Sequence, residues 1–497
     1  MKLFAGIDQG TTLTTAVITD ENGHMLAKAS RPHSNYYPYP GWVEQDPQEI
    51  YDNCLGAISD AAAKIPGAKT SDIIGFGMDH QGETCLVWEK DTADPIFRMI
   101  VWQDRRTSED ADRLDREYGD RILAVTGVKA DAYYSATKIA WILDHVEGAR
   151  ARYERGELMV GTFNTWFFYR ISGKTIYATD PGSASCMMLT DLARCDWDDF
   201  MLGLFGLRRE LMPQMADSIG SFGYTDPACF LGAKALIGAA LEDSSAGIIG
   251  SGCVGEGILK TSYGTGSFMS LQTGETLVPS KPDLFSNCLW TYHGRPWFRL
   301  RGSCYSAGSS VEWLVKGLGL IENAAESETL ARSVPDTGDV YYVPALSGLA
   351  TPFWDQYARG TLIGMTAGTT RAHIVRAVLE ALAYQVTNSY LAMSDAYGRR
   401  SQLMRADGGP VENAFLMQFQ SDMLGIPVEI PEEKEAAAYG SACASAIAAG
   451  ALGGPDDVKK LVRLKKTYEP SMSDAEREEK LMRWLEAVRR SSGWALR

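Results

Sequence analysis

The sequence predicts an α/β protein with two related domains, and three features support this prediction. The chain has 497 residues, enough for two or three domains that each bury a core of their own. An apolar strand, a loop rich in Gly and Thr, a second strand and a turn occur at the start of the chain and again halfway along it. Amphipathic helical patterns follow these strand-rich segments in both halves, as in other α/β folds.

The first copy of this unit lies at the N-terminus. An apolar strand at 3–7 leads into the polar loop Asp8-Gln9-Gly10-Thr11-Thr12, and a second strand follows around 16–18. Residues 20–23, Asp-Glu-Asn-Gly, are typical of a hairpin turn, and a third strand is expected at 25–29. A loop of Gly and Thr residues therefore joins two strands of one sheet.

The second copy lies in the other half of the chain. We expect strands at 258–262 and 268–271, joined by the loop Tyr263-Gly264-Thr265-Gly266-Ser267 and followed by a turn at 273–274. Because the order of elements repeats, the sequence predicts a duplicated domain.

The domain boundary is predicted near residue 250, with an N-terminal domain of residues 1–250 and a C-terminal domain of residues 251–497. The four glycines of 250–257 are typical of a connection that can act as a hinge. Residues 250–255, Gly-Ser-Gly-Cys-Val-Gly, also satisfy the GxGxxG dinucleotide pattern, which requires a strand before it and a helix after it. Here a helical stretch precedes the pattern and a strand follows it, so no nicotinamide cofactor is expected.

Helices in the second half are predicted from their periodicity. One has apolar residues at four-residue spacing behind the expected cap Thr369-Thr370, namely Ile374, Val378, Leu382 and Val386. Another opens with the capping box Ser473-Asp474-Ala475-Glu476 and places on one side Leu481, Trp484, Leu485 and Val488. The uncharged stretch 436–454 has the length of a membrane span, but its small residues predict a buried helix.

Composition and charge exclude several classes of protein. With 45% hydrophobic and 22% charged residues, the chain is neither disordered nor of low complexity. Its formal net charge of −15 would repel a phosphate backbone, so no nucleic acid partner is expected. The nine cysteines form no CxxC pair, which is typical of reduced thiols in the cytoplasm. The start MKLFAGIDQGTT becomes polar too soon for a secretory signal, and no membrane partner is expected.

Three loops carry groups that can bind phosphate. Gly and Thr residues between strands leave backbone N–H groups and hydroxyls free, and Asp8 in the first loop can hold Mg²⁺. The second loop is 263–267, and the third contains Asp407-Gly408-Gly409. Each loop alone could be a plain polar turn. Three of them in separated segments predict a nucleotide held in a cleft between two domains.

Longer motifs extend over both halves of the chain. In the first half they are GIDQGTT from Gly6, GWVEQDP from Gly41, ETCLVWEKDT from Glu83, IVWQDRRT from Ile100 and YYSATKIAWILDH from Tyr133. In the second half they are SYGTGSF from Ser262, the stretch 343–385 and ADGGPVENAFLMQFQSDMLGIPV from Ala406. With these motifs the sequence resembles the FGGY family of carbohydrate kinases over essentially its whole length, and within that family it is most similar to the glycerol kinase group. The resemblance implies two actin-like (ribonuclease H-like) domains that close on ATP, Mg²⁺ and a polyol or sugar.

The resemblance also implies roles for individual residues. It assigns Asp243 as the base that takes a proton from the substrate alcohol, and Asp8 to the Mg²⁺ and phosphate site. The substrate pocket is expected to contain Glu83, Trp102, Tyr133, Asp243 and Phe268. The residues expected to bind ATP are Thr11, Thr12, Thr265, Gly266, Gly308, Gly409 and Asn413.

The chemistry of phosphoryl transfer fits this set of residues. The reaction needs an alcohol in line with the terminal phosphate, neutralised charge and a carboxylate near the alcohol. Without the resemblance, an acid beside Ser-Ser such as Asp243 is usually a helix cap, and Glu83 could be a half-exposed residue at a strand edge. Trp102 and Phe268 could then be core aromatics.

Three positions depart from the pattern of the glycerol kinase group. Gly82 stands where that group has Arg before the pocket glutamate, and Ser244 where it has Gln after the catalytic aspartate. Both changes remove groups that hydrogen-bond the substrate, so we expect a larger pocket that suits a longer polyol or a ketose. Thr15 stands where the first loop of that group ends in Arg, which removes a positive charge from the phosphate site.

The sequence thus predicts ATP-dependent phosphorylation of a primary hydroxyl of a small polyol or sugar. A ketose such as a pentulose is one alternative substrate. A regulator that binds sugar and nucleotide without turnover is a second alternative, and the three departures motivate it. An actin-like ATPase is a third, although such a protein needs no polyol pocket. Assembly into a homodimer or homotetramer is a further expectation.

Overall fold

A computed structural model describes residues 1–496, and its largest element is a sheet of 13 strands. In chain order these strands are β1 (Leu3–Gln9), β2 (Leu13–Thr19), β3 (Met25–Pro32), β4 (Ile73–His80), β5 (Ile219–Tyr224), β6 (Leu236–Glu242), β7 (Leu259–Tyr263), β8 (Ser267–Gly274), β9 (Phe285–Tyr292), β10 (Arg295–Cys304), β11 (Met404–Gly408), β12 (Val428–Pro431) and β13 (Leu464–Tyr468).

The order of the strands shows an internal duplication. In the first half the spatial order is β3-β2-β1-β4-β6, with β2 antiparallel to its neighbours and β4 and β6 parallel to β1. In the second half the order β10-β8-β7-β11-β12 repeats the same directions. This is the ribonuclease H-like topology, so the α/β class and the duplicated fold are confirmed. Strands β5 and β9 join the two halves edge to edge.

Fifteen α-helices lie around the sheets over residues 1–496. They are α1 (Pro47–Ala62), α2 (Ser108–Thr126), α3 (Ser135–His145), α4 (Ala149–Glu154), α5 (Phe163–Ile171), α6 (Pro181–Ser185), α7 (Asp199–Leu204), α8 (Asp243–Gly250), α9 (Gly308–Glu312), α10 (Glu326–Arg332), α11 (Arg371–Tyr397), α12 (Ala414–Leu424), α13 (Ala436–Ala448), α14 (Pro455–Leu461) and α15 (Asp474–Ser491).

Smaller elements complete the fold. A five-stranded sheet of the first half contains, in spatial order, Asn35–Tyr36, Glu44–Gln45, Met99–Ile100, Cys85–Glu89 and Leu158–Thr162. Two-stranded sheets pair Ala178–Thr179 with Gln214–Met215, Thr190–Asp191 with Asp196–Trp197, and Tyr341–Val343 with Thr361–Ile363. Short 3-10 helices occupy Thr70–Asp72, Arg209–Leu211 and Gly409–Glu412, and Trp313–Gly317 is π-helical.

Local sequence signals predicted several of these elements correctly. Thr370 is the N-cap of α11, and the Ser473 hydroxyl accepts a hydrogen bond from the backbone N–H of Glu476 at the start of α15. The uncharged stretch folds as the buried helix α13, and no helix within residues 1–496 is long and apolar enough to cross a membrane. The GxGxxG stretch follows α8 and precedes β7, as expected. The domain boundary at residue 250 and the cytoplasmic location stay predictions.

Helix α13 comes from the second half of the chain but packs on the sheet of the first half. Its backbone approaches so closely that a Cβ at Gly6 of β1 would lie 2.1 Å from the Ala438 carbonyl oxygen. A Cβ at Gly77 of β4 would lie 2.1 Å from the Ser441 carbonyl oxygen. Only glycine fits between a strand and a helix backbone at these distances.

We expect Gly6→Ala to lower the free energy of unfolding by at least about 2 kcal/mol, because the added methyl group must displace backbone atoms of α13. Urea unfolding followed by circular dichroism measures this effect. Gly203→Ala in α7 is the matched control, since a Cβ there meets nothing within 4 Å. Gly203→Ala should leave the free energy of unfolding unchanged or raise it by up to about 1 kcal/mol. Equal stability of the two variants would contradict close packing of α13 on β1.

Candidate active site

Three carboxylates meet at one edge of the first half of the sheet. Asp8 near the end of β1 pairs in register with Asp79 of β4. Asp243 directly follows β6, where Leu241 pairs with Asp79. Because β1, β4 and β6 are parallel, their carboxyl ends lie side by side, and this edge is where α/β sheets bind ligands.

Burial raises the affinity of these carboxylates for protons. Burial raises the pKa of Asp8 to about 6. Burial and the charge of Asp8 raise the pKa of Asp79 well above its usual range, although the Ser441 hydroxyl donates a 2.7 Å hydrogen bond to it. The other oxygen of Asp79, Oδ1, is buried without a hydrogen-bond partner. Like charges at close range, with an unpartnered oxygen among them, favour binding of a cation.

Asp243 lies within the electrostatic field of both this cluster and Glu83. Burial and the charges of Glu242 and Asp8 raise its pKa well above the usual range, and Glu83 contributes in the same direction. The interpretation of Asp243 as a helix cap is wrong. Glu242 caps α8, and its carboxylate accepts a 3.1 Å hydrogen bond from the backbone N–H of Ser245.

The first predicted phosphate loop, residues 8–12, is held by hydrogen bonds from other residues of the first half of the chain. The Thr11 carbonyl oxygen accepts hydrogen bonds from side chains of His33, Asn35 and, at 2.7 Å, Gln45. The Thr11 hydroxyl accepts a 3.2 Å hydrogen bond from the indole N–H of Trp102, which connects this loop to the pocket. Thr12 is exposed beside it.

The second loop is held against the start of α9. The Thr265 carbonyl oxygen accepts hydrogen bonds from the backbone N–H groups of Ala307 at 2.8 Å and Ser309 at 3.1 Å. The N–H of Gly308 donates to Gly264 at 2.9 Å, and a Cβ at Gly308 would lie 2.6 Å from the same carbonyl oxygen. Glycine at 308 therefore allows these two segments to come together.

The third loop meets the second through glycine as well. Gly408 has a φ of +96°, and a Cβ there would lie 1.9 Å from the Tyr263 carbonyl oxygen. The next residue, Gly409, has open space where a Cβ would be. A Cβ at Gly266 would lie 2.4 Å from the Cys304 carbonyl oxygen. The structure thus brings together the predicted residues Thr265, Gly266, Gly308 and Gly409.

Asn413 has a structural role beside the third loop. Its side-chain oxygen caps α12 by accepting a 2.9 Å hydrogen bond from the backbone N–H of Leu416. Its side-chain nitrogen donates to the Ser327 hydroxyl at 3.1 Å. Both polar groups are engaged, and contact between Asn413 and the nucleotide stays a prediction.

Glu83 is buried, so its interpretation as a half-exposed edge residue is wrong. It is 1% exposed, has a φ of +36° and accepts a 3.2 Å hydrogen bond at its carbonyl oxygen from Lys138. Burial raises the pKa of Glu83 to about 7, against the opposing charge of Arg301. Tyr133 lies beside Glu83, and its ring packs edge-on against Trp102 with the centroids 5.8 Å apart.

Phe268 enters the site from the second half. It is 57% exposed, so its interpretation as a core aromatic is wrong. Phe268 of β8 pairs with Ser303 of β10, and Ser270 pairs with Arg301. Residues two apart on a strand share a face, so Phe268 and Arg301 lie on the same face of the sheet.

Two arginines of β10 bear on the expectation that the pocket is larger at Gly82 and Ser244. Arg299 donates a 2.9 Å hydrogen bond to Glu242 and a second one to the Ser244 hydroxyl. Arg301 places Nη1 3.6 Å from Oε1 of Glu83. Guanidinium groups from the other half of the chain thus lie beside Ser244 and Glu83, and the size of the pocket stays a prediction.

The side chain of Thr15 contacts the neighbouring strand β3. Its buried hydroxyl lies 3.0 Å from the Ser30 hydroxyl of β3. Lys28, two residues from Ser30, donates a 3.2 Å hydrogen bond to Glu435. Lys28 thus places a positive charge beside Glu435, whose carboxylate raises the pKa of Asp8.

Sequence reasoning missed Asp79, Ser441, Arg299 and Arg301. Asp79 could have been found, because it ends an apolar strand in the same way as Asp8. Ser441 of α13 contacts Asp79, which is 362 residues earlier in the sequence. No local pattern predicts such a contact.

Family models match both halves of the chain. Residues 3–250 match the N-terminal domain and residues 259–449 the C-terminal domain of the FGGY family of carbohydrate kinases. The chain belongs to this family and is a carbohydrate kinase.

Several members of the family are similar to the chain over its full length. Glycerol kinase 2 of Thermotoga maritima is 42% identical, with 100% of each chain covered. The glycerol kinase of Thermus thermophilus is 40% identical, with 97% of each covered. Among solved structures, the glycerol kinase of Plasmodium falciparum with ADP has a TM-score of 0.93 at 30% identity, covering 99% of this chain and 98% of that one.

We expect Arg299→Met to destabilise the protein by about 3 kcal/mol, because it leaves the buried Glu242 carboxylate without its partner. Thermal unfolding measures this effect. The pair Arg483–Asp339 is a matched control, since its side chains are 53% and 58% exposed, and Arg483→Met should leave the unfolding temperature almost unchanged.

The same variant gives a pH test. Although burial opposes it, Arg299 and Arg301 hold the pKa of Glu242 well below its usual range. A lowered pKa adds stability above the ordinary Glu value of about 4.3, and this stability is lost as the pH falls towards the folded-state pKa. The difference between wild type and Arg299→Met should therefore be full at neutral pH and shrink below about pH 4. A difference that grows towards acid would contradict this assignment.

Proposed function

We propose that the protein uses ATP to phosphorylate a primary hydroxyl of a small polyol such as glycerol. The observation that carries this proposal is that Asp243 directly follows the strand whose Leu241 pairs with Asp79, within the electrostatic field of Asp8, Asp79 and Glu83. The names of the relatives, glycerol kinases at about 40% identity over the full chain, support the substrate class.

The nucleotide is proposed to lie against the three loops. Thr11, Thr12, Thr265 and Gly266 offer hydroxyls and backbone groups to the phosphates. Gly308 is proposed as a further nucleotide contact, and Gly409, with open space at its Cβ position, lies with Asn413 at the proposed adenosine site. The Plasmodium relative holds ADP, which supports ATP as the phosphate donor. Phe268, Trp102 and Tyr133 are proposed to pack on the carbon atoms of the polyol.

Asp8 and Asp79 fit a magnesium ion. Mg²⁺ is commonly held by one or two carboxylates together with phosphate oxygens, and Asp79 Oδ1 is a buried oxygen without a partner. No group of three or more His, Cys, Asp or Glu residues within 1–496 is arranged as a complete metal site, which is consistent with phosphate supplying the remaining ligands. When bound, the ion would neutralise charge on the transferred phosphoryl group.

The proposed reaction balances as a simple transfer. Asp243 accepts the proton of the substrate hydroxyl, and the substrate oxygen forms a bond to the terminal phosphorus of ATP. The bond from that phosphorus to the bridging oxygen breaks, and ADP leaves. The raised pKa of Asp243 makes its carboxylate a stronger base than an ordinary aspartate.

A substrate panel tests this function directly. ADP release should exceed the substrate-free rate with glycerol, a tetritol, a pentitol or a ketose. Preference for a pentulose would favour the ketose alternative. Release that no member of the panel raises would reject the kinase proposal and favour the regulator, whereas release that needs no acceptor would favour the ATPase.

We expect Asp243→Asn to lower kcat by about 10²–10⁴-fold while ATP still binds, because the amide cannot accept the proton. A coupled assay of ADP release and calorimetric titration with ATP measure the two effects. Asp474→Asn is the matched control, since Asp474 is also the first residue of a helix but is 89% exposed. Unchanged kcat in Asp243→Asn would exclude Asp243 as the base.

We expect Asp8→Asn to weaken Mg²⁺ binding about tenfold or more. Spectroscopic titration with Mn²⁺ in the presence of ADP measures this without turnover, and the Mg²⁺ concentration at half-maximal rate gives a second measurement. Asp474→Asn again serves as the control. Unchanged affinity for the ion would remove Asp8 from the proposed metal site.

A further inference from the structure

Arg301 has free hydrogen-bond donors in the pocket. Within residues 1–496 its guanidinium group donates no hydrogen bond, and its nearest carboxylate oxygen, on Glu83, is 3.6 Å away. Its side chain is 24% exposed, whereas that of Arg299 on the same strand is 1% exposed and bonded to Glu242. Of these two pocket arginines, Arg301 is therefore the one that can bind a ligand.

Glu83 has a matching free acceptor. Its Oε1 atom is buried without a hydrogen-bond partner, and this is the atom that faces Nη1 of Arg301. A buried acceptor without a partner is costly, and a ligand hydroxyl that donates to it removes the cost. The separation of 3.6 Å is too long for a direct hydrogen bond but suits two neighbouring hydroxyls, one on each group.

Gly82 leaves room for such a ligand. It has a φ of +64°, and a Cβ there would come near only one atom, Cγ of Glu242, at 3.5 Å. The first half therefore offers no side chain at position 82, and the cation comes from β10 of the second half.

We propose that Arg301 and Glu83 together bind two adjacent hydroxyls of the polyol, with Arg301 donating to one and Glu83 accepting from the other. This inference rests on the proposed function and adds a specificity-determining residue from the second half of the chain. Substrates with an adjacent pair of hydroxyls beside the phosphorylated carbon should be preferred over substrates without one.

The test compares glycerol with 1,3-propanediol, which lacks the middle hydroxyl. Arg301→Ala should raise KM for glycerol about tenfold or more, because a charged hydrogen bond is lost, while KM for ATP is unchanged. The preference of the wild type for glycerol over 1,3-propanediol should shrink in the variant. Arg295→Ala on the same strand, with a side chain 69% exposed, is the matched control.

A pH profile separates binding from a merely structural role. Glu83 faces Arg301, Glu242, Asp243, Lys138 and Tyr133, and of these Arg301 is the strongest opposing charge. Removing this cation raises the pKa of Glu83, so the acid limb of kcat/KM should move to higher pH in Arg301→Ala. Arg301→Lys keeps the charge and should keep the limb near its wild-type position.

The outcomes decide between the proposals. Unchanged KM and an unmoved acid limb in an active Arg301→Ala would overturn the role of Arg301 but leave the kinase intact. If Arg301→Ala does not fold, the glycerol preference of Arg301→Lys decides, since loss of the planar donor fork should reduce it and full retention would overturn the inference. If the wild type turns over no polyol, the proposed function fails, and calorimetric titration with glycerol decides whether Arg301 binds it.

Discussion

The close approach of α13 to the strands of the first half is the constraint on which the site depends. Gly6 and Gly77 let the helix backbone lie directly on β1 and β4, and each glycine is two residues before an acidic residue of the site. The helix therefore brings Ser441 to Asp79. A bulkier residue at either glycine would move the helix away and leave the carboxylates without this contact.

This packing buries several carboxylates near one another, and basic residues of the second half lie beside some of the acidic ones. Asp8, Asp79 and Asp243 lie within one another's field, and burial raises all three pKa values. The second half supplies Arg299 to Glu242 and Arg301 towards Glu83. Within the described part of the chain, the carboxylates that remain without a basic partner are Asp8, Asp79 and Asp243, beside the proposed site for a cation and phosphate.

Local patterns predicted the strands, the helix caps and the Gly/Thr loops because these features depend on neighbours in sequence. Asp79 and Arg301 depend instead on which strands pair. In Phe298-Arg299-Leu300-Arg301, the apolar and charged residues alternate as on any half-buried strand, so the sequence does not distinguish a solvent face from one that meets another half. The expectation of a larger pocket counted the side chains lost at Gly82 and Ser244 but not those that β10 brings beside them, and the pocket size stays a prediction.

The origin of the pocket residues has a consequence for how the two halves act together. Glu83, Trp102 and Tyr133 precede residue 250, whereas Phe268 and Arg301 follow it. A polyol bound as proposed, by Glu83 and Arg301, would contact both halves and stabilise the arrangement in which they are close. The buried pair Arg299–Glu242 holds β10 against the start of α8 even without substrate. Because that pair fixes the middle of β10, two residues from Arg301, a substrate bound there needs to order only the free guanidinium of Arg301 and the residues around it, which lowers the entropic cost of binding.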